Sequence, residues 1–316
     1  MSSDATKAEN RRMILAARPQ GMVDASTVRL ETGPVPEPGP GQALVKVQWL
    51  SIDPTIRTWM DDRPGYLPPI ALGEVVRGAV LGQVTASNSD AYAPGDMVVG
   101  MAGWQDWTLA GEGAHGMQVI PPGLEPGAVL NVFGVNGLTA YWGMLDVGRV
   151  QSGDIVVVSG AAGGVGSIAA QLAGLAGATV IGLASDAHHR WLTDHGVIPL
   201  TYGDGVADRI KAASGGRVDA FVDTFGGGYV EMAVGLGVAP DRIDTIIDPA
   251  AARRYGTKAD GNAAAATAEV LGELAGLIAD GRLEVPIARA YPLAEVREAF
   301  RHLEHRHTLG KIVLEP

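Results

Sequence analysis

Residues 155–166 read IVVVSGAAGGVG, and residues 167–178, SIAAQLAGLAGA, have helical spacing. A β-branched run, a glycine-rich turn and a helix, in that order, suit a dinucleotide pyrophosphate. The turn lets backbone come close, and the helix N-terminus offers unpaired N–H groups and a partial positive charge. Gly163 is expected to permit the tight turn, Gly164 to leave room beside it, and Gly166 to let the helix pack against the strand. Position 161, where the usual fingerprint opens on glycine, is alanine, so the pattern is A-x-G-x-x-G. A bare glycine pattern is weak, but here a second β-forming run, Thr179–Leu183, follows the helix. Strand and helix texture alternate from 155 to 247, with IVVV, TVIGLA, VIPL, AFVDTF and RIDTII as the strands. Such alternation predicts a parallel sheet covered by helices on both faces.

The rest of the chain reads differently. From Met13 to about Gln118, the runs ALVKVQWLSID, GAVLGQVTAS, DMVVGMAGW and WTLA are broken at short intervals by glycine and proline. That predicts a small β-barrel. Residues 127–148 are expected to be helical, as is Asn262–Ala279, stopped by Asp280–Gly281. The tail, with RLEVPIARAYPL, a helix EVREAFRHLEHR and a last strand KIVLEP, resembles the opening segment more than the middle. The expected organisation is residues 1–122 plus 285–316 as one domain, with 123–284 inserted as the dinucleotide-binding domain. A chain of 316 residues is long enough for two cores.

The formal net charge of −11 disfavours nucleic acid and acidic lipid as partners. No stretch is long enough to span a membrane, and MSSDATKAENRRM has no apolar signal core, so a cytoplasmic location is expected. The chain has no cysteine, which removes disulfides, thiolate nucleophiles and cysteine-ligated zinc. Its seven histidines lack metal-ligand spacing with a carboxylate, so no metal site is expected. His302, His305 and His307 are expected to form a solvated face or cap of a helix.

Five segments carry a wider likeness: SIDPTIR (51–57), LGEVVRG (72–78), NGLTAYWGMLDVG (136–148), SGAAGGVGS (159–167) and GKIVL (310–314). From about Arg12 to Leu314 the chain resembles the medium-chain dehydrogenase/reductase superfamily. The best match is its zinc-independent branch of prostaglandin reductases, alkenal double-bond reductases and curcumin reductases. The region after Asp219 is similar to quinone oxidoreductases as well. This resemblance implies an α/β protein with a GroES-like β-barrel catalytic domain and an inserted Rossmann domain. It also implies NADPH-dependent, metal-free reduction of the activated carbon–carbon double bond of an enone or enal. Three alternatives stay open: a quinone reductase, an enoyl-thioester reductase, and an NADPH-binding protein without turnover. An acidic carrier delivering a thioester would meet Arg77, Arg253 and Arg254. Relatives pair the edge strands of their Rossmann sheets, and RIDTIID (242–248) is the strand that predicts a homodimer here.

The second strand of an NAD site normally ends in an acidic residue that binds the ribose hydroxyls. Here it ends in Ala184 and Ser185, which admits a 2′-phosphate and favours NADPH. Asp186 follows and is expected to turn away as a helix cap. The resemblance puts His188 on the lysine that contacts the 2′-phosphate in relatives, with Arg190 as a further cation and Tyr202 on a phosphate-contacting tyrosine. Arginine is a good bidentate phosphate ligand; equally, His188 and His189 can be solvated helix residues. Ala162, Gly163, Gly164 and Val165 are expected at the pyrophosphate. The resemblance also places Asn136 and Thr139 near the nicotinamide and phosphates, where both residues are equally good helix caps. Phe225, which ends AFVDTF, and Gly226 and Gly227 after it, with Ile247 and Thr308, complete the expected cofactor contacts.

The protein must also polarise the acceptor carbonyl and supply a proton. Relatives often place a tyrosine hydroxyl beside that carbonyl. This chain departs from them, with Thr55 in the first of the two usual tyrosine positions and Ile247 and Asp248 near the second. The remaining hydroxyl candidates are Tyr66, Tyr255 and the cofactor ribose with water, beside Thr55 itself. An Asp53–Arg57 ion pair is expected to support the cleft between the domains, closed by Ser51–Arg57, the Tyr66 loop and residues 248–255.

Overall fold

The computed structural model describes residues 9–62, 67–259, 267–305 and 308–316. The first strands are β1 (Glu9–Leu15), β2 (Val28–Pro34) and β3 (Gln42–Ser51), followed by the short helix α1 (Pro54–Trp59). Next come β4 (Arg77–Ser87), β5 (Met97–Gly103), β6 (Trp107–Gly111) and β7 (Met117–Val119). Two helices follow, α2 (Pro126–Val132) and α3 (Val135–Tyr141), the second running on as a π-helical segment, Trp142–Val147. The alternating stretch is β8 (Ile155–Ser159), α4 (Gly164–Leu175), β9 (Thr179–Ala184), α5 (His189–Asp194), β10 (Ile198–Thr201) and α6 (Val206–Ser214). It continues with β11 (Ala220–Asp223), α7 (Tyr229–Gly235), β12 (Ile243–Thr245), α8 (Pro249–Tyr255) and α9 (Ala268–Ala279). The tail holds β13 (Ile287–Pro292), α10 (Val296–Glu304) and β14 (Lys311–Glu315).

The chain divides into two compact units: Met1–Leu130 with Ile287–Arg306 and Ile312–Pro316, and Asn131–Pro286 with His307–Lys311. The first break falls inside α2, later than the expected 122/123. Glu125 accepts from the Ala128 N–H at 2.7 Å, which ties the start of that helix to the segment before it. The tail enters the second unit once more at 307–311. There Gly310 N–H donates to Ala162 O at 2.8 Å, and Lys311 N–H to Pro286 O at 2.9 Å.

In the first unit the sheet runs β13-β14-β3-β4-β5-β7, with β6 also on β3. The long strand β3 serves two partners along one edge. Its start, Gln42–Lys46, pairs with β6, and Leu50–Ser51 pairs with β14. Its alternating burial follows the period of two that QALVKVQWLS carries. β1 and β2 form a separate antiparallel pair. Buried Trp104 anchors the core, donating from its indole N–H to Ser51 O at 3.2 Å and lying 5.9 Å from the Phe300 ring. His302, expected on a solvated face, is instead half-buried, its Nδ1 3.0 Å from the Tyr291 hydroxyl. His307 lies outside the described residues.

In the second unit all five expected runs are strands of one parallel sheet, ordered β10-β9-β8-β11-β12. The chain leaves β8 towards β9 and β10, then returns to β8's other side for β11 and β12. This is the doubly wound arrangement, with ligand space at the C-terminal ends of the strands on either side of the reversal. Val157, Ile181, Leu183, Phe221 and Ile243 form the centre of one core. Helix α9 is capped by Thr267, whose hydroxyl accepts from the Val270 N–H at 3.2 Å, and it ends at Asp280 before Gly281 at φ +66°. The part of the expected helix at 262–266 lies outside the described residues. Among the described residues no helix is long and apolar enough to cross a membrane.

Candidate functional site

The turn from β8 into α4 has a different pivot from the one its glycine pattern suggests. The left-handed residue is Gly160, at φ +63°. Gly163 is extended (φ −81°, ψ −179°) and stands as the helix N-cap without a side-chain cap. Gly164 does have little room: a Cβ there would lie 2.6 Å from Asn136 Nδ2. At Gly166 a Cβ would lie 2.7 Å from Gly160 C and 3.0 Å from Ala161 Cα, all backbone, so the close approach expected there is present. The first turn of α4 carries no acidic residue and no cap. Its leading N–H groups therefore suit an anion.

Polar groups around this turn are buried without partners. Among the described residues, Ser185 Oγ, just beyond β9, His188 Nε2 and Thr308 Oγ1 each lack a hydrogen-bond partner, as does Asn131 Nδ2. Unsatisfied buried groups are rare in folded proteins and call for an explanation. Tyr202 is stacked on Phe225 with ring centroids 4.7 Å apart and shares a backbone hydrogen bond with Gly160. Burial pushes its phenol well above the ordinary range. Arg190 points to solvent, 94% exposed and 3.8 Å from Asp194. Asp186 is not a cap: the cap of the short turn 186–188 is Ser185, and the Asp186 carboxylate accepts from the Thr201 hydroxyl. Asn136 and Thr139 are not caps either. α3 begins after Gly134, Asn136 Nδ2 donates to Asn131 Oδ1 at 2.6 Å, and Thr139 Oγ1 donates to Val135 O at 2.7 Å.

Asp223, fully buried at the end of β11, was not among the expected site residues. Its Oδ1 accepts from Ser159 Oγ at 2.7 Å, Phe225 N–H at 3.1 Å and Gly226 N–H at 2.9 Å, and its Oδ2 from Thr245 Oγ1 at 2.9 Å. An aspartate inside the apolar run AFVDTF is the one sequence signal that could have singled it out. Gly226, Gly227 and Gly228, at φ +78°, +76° and +94°, carry the chain away from it in a conformation that side chains disfavour. A Cβ on Gly226 would lie 3.0 Å from Ile247, which is itself 47% exposed. Beside this turn a hollow of about 280 Å³ is lined by Gly228, Glu231, Asp248, Ala251, Arg254 and Tyr255. A hollow of about 350 Å³ elsewhere in the unit, against Leu172, Leu175 and Leu277, touches none of the expected site residues.

The hydroxyl candidates differ in setting. Tyr255 lines the smaller hollow, hydrogen-bonds Glu231 and lies under the Arg254 guanidinium, 5.1 Å from ring centroid. Desolvation first and Glu231 second raise its phenol pKa, making it a weaker acid. Thr55 is half-buried in the first turn of α1, in the other unit. Tyr66 lies outside the described residues. Arg57, expected on Asp53, reaches one turn on to Asp61 at 2.7 Å, while buried Asp53 takes the Ser51 hydroxyl. No group of three or more His, Asp or Glu arranged to hold a metal occurs among the described residues.

Two family models match: an N-terminal domain of oxidoreductase over residues 11–119 and a zinc-binding dehydrogenase domain over residues 196–314. The NADPH-dependent curcumin reductase of Escherichia coli is 35% identical over 234 residues, 73% of this chain and 68% of that protein. CurA from Vibrio vulnificus, solved in complex with NADPH, superposes with a TM-score of 0.81 at 26% identity, over 96% of this chain and 98% of that one. The quinone oxidoreductase from Coxiella burnetii gives 0.78 at 25% identity, over 98% and 100%.

Proposed function

The chain belongs to the medium-chain dehydrogenase/reductase family, and on that premise we propose that it reduces the activated carbon–carbon double bond of an enone or enal, without a metal. It is an NADPH-dependent oxidoreductase, as its relatives are. The observation that carries the reading is the set of unpartnered buried groups, Ser185 Oγ, His188 Nε2 and Thr308 Oγ1, around an uncapped helix start. These residues fit a phosphate-bearing dinucleotide, which supplies a hydride when bound.

The residues divide the work. Ala162, Gly163, Gly164 and Val165 hold the pyrophosphate, because backbone N–H groups and absent side chains let it come close. Ser185, His188, Arg190 and Tyr202 take the 2′-phosphate; Arg190 is free enough to swing onto it. Asn136, Thr139, Phe225, Gly226, Gly227, Ile247 and Thr308 orient the remainder. A hydroxyl must then hydrogen-bond the acceptor carbonyl as negative charge develops there. Tyr66 is the better candidate. Threonine is a poor acid, and the Tyr255 hydroxyl is already committed to Glu231.

Enones should oxidise NADPH, with deuterium from labelled cofactor appearing on the β-carbon of the product and with no effect of a chelator. Tyr66→Phe should lower turnover by about tenfold to a thousandfold; an unchanged rate would return Tyr66 to packing. A quinone reductase is the second reading, supported by the Coxiella burnetii likeness, and a panel with quinones active and enones inert would select it. Activity with enoyl thioesters alone, or tight NADPH binding with none of these substrates turned over, would replace both.

A homodimer belongs to the same proposal. β12 ends the parallel sheet; Lys258 already pairs with its outer Ile243 O and Thr245 N–H, each at 3.0 Å, but Ile246 and Ile247 beyond it are 41% and 47% exposed. An apolar sheet edge invites pairing with a second copy. Light scattering at micromolar concentration should give twice the chain mass, and a value near 32.7 kDa would refute the dimer.

A further inference from the structure

We propose that the Thr201 hydroxyl is a cofactor-specificity determinant. It holds the Asp186 carboxylate against β10, so that the acid does not act as a ribose-hydroxyl acceptor and NADPH is favoured over NADH. The inference rests on the NADPH reading and adds a residue to it.

Asp186 stands two residues past Ala184, the last residue of β9. An acidic residue at that end of the second strand selects NAD, because it accepts the ribose hydroxyls and repels a 2′-phosphate. This chain has the acid and is nonetheless a relative of NADPH enzymes. In the parallel register Thr201 lies opposite Ala184, which brings its side chain beside the next turn of the neighbouring strand. Its hydroxyl donates to Asp186 Oδ1, and His189 Nε2 lies 3.7 Å from the same oxygen.

The donor is itself held. Arg209 Nη2 donates to Thr201 O at 2.7 Å and to Tyr202 O at 3.2 Å, while Nη1 reaches Asp204 O at 2.7 Å. The Tyr202 ring is fixed on Phe225. The carboxylate is thus tied to a braced segment, whereas Ser185 Oγ and His188 Nε2, on either side of it in sequence, are left without partners. The same short stretch therefore withdraws its acid and leaves the Ser185 and His188 side chains for an anion.

Fluorescence titration with NADPH and with NADH tests this on the whole protein. Thr201→Val should reduce the preference for NADPH by about tenfold, through both weaker NADPH and tighter NADH binding. Thr201→Ser, which keeps the hydroxyl, should retain the original preference. The double variant Thr201→Val/Asp186→Asn should regain it, since the released charge is gone. Equal changes in both dissociation constants, an unchanged ratio in Thr201→Val, or a loss that persists in the double variant would each overturn the proposal. Asp186→Asn alone does not depend on how well the valine variant folds; a fall in its NADPH preference would overturn the proposal too. A lack of NADPH preference in the unmodified protein would instead sink the cofactor reading, and this inference with it.

Discussion

Gly166→Ala should weaken NADPH binding by about a hundredfold or more and cost about 2–3 kcal/mol of stability, within the range for overpacking a tight site. The added methyl would meet Gly160 O closest of all, then Gly160 C at 2.7 Å and Ala161 Cα at 3.0 Å. All three are backbone atoms of the turn proposed to receive the pyrophosphate. No side chain can rotate away, so either α4 or the turn itself must move. Gly174, in the same helix, is the control: a Cβ there meets nothing within 4 Å. Gly174→Ala should leave NADPH affinity intact and stabilise the protein by up to about 1 kcal/mol, the helix-propensity difference between the two residues. Titration and thermal melting of both variants check the pair. Equal behaviour of the two would mean that Gly166 is only a helix residue.

This contrast also marks what the sequence could tell. The strands β8 to β12 were legible because each is a β-branched run bounded by glycine or polar residues, and the order of those runs dictates the doubly wound sheet. The approach at Gly166 was legible for the same reason, since the spacing A-x-G-x-x-G fixes which residue faces the strand. The pivot was not. Gly160 lies one residue before the fingerprint, and only its φ of +63° shows that it makes the turn. Short-range contacts can be read from spacing, whereas a left-handed conformation chosen by the surrounding packing cannot.

Long-range polar contacts were the least visible. Thr201 and Asp186 are fifteen residues apart and meet only because β9 and β10 are parallel neighbours in a particular register. Arg57 was expected on Asp53, but the helical spacing of α1 and its C-cap brings Asp61, four residues on, within reach. Asn136 and Thr139 have the composition of caps, yet α3 begins at Val135, so both fall within its first turns and bond elsewhere. These errors matter little to the proposed pyrophosphate contacts, which are backbone and small residues of one local motif. The proposed acceptor side rests on a single hydroxyl. Thr55 is set aside by its chemistry, as a poor acid, and Tyr255 by its setting beside Glu231.

Asp223→Ala should be among the most damaging substitutions in the second unit, although Asp223 belongs to no recognised motif. It would leave the hydroxyls of Ser159 and Thr245 and the N–H groups of Phe225 and Gly226 without their acceptor in a fully buried place. Each buried unsatisfied group costs about 1–3 kcal/mol. With partial relaxation the expected loss is about 3 kcal/mol or more, a drop of about 6–12 °C in melting temperature for a unit of this size. The effect should reach the cofactor because the carboxylate links three strand ends. Ser159 closes β8, and its hydroxyl also accepts from Thr224 N–H at 3.0 Å. Thr245 closes β12, and its hydroxyl accepts from Asp248 N–H at 3.1 Å. Asp223→Asn separates the two roles. Its oxygen can still serve Ser159, Phe225 and Gly226, but its amide would face a Thr245 oxygen that already accepts from Asp248. The asparagine variant should therefore stay folded and keep the glycine turn, losing about tenfold or less in NADPH affinity, while the alanine variant loses both turn and fold. Melting curves and NADPH titrations of the two variants decide it. If Asp223→Ala bound NADPH as tightly as the unmodified protein, the strand-end network would have no part in holding the cofactor turn.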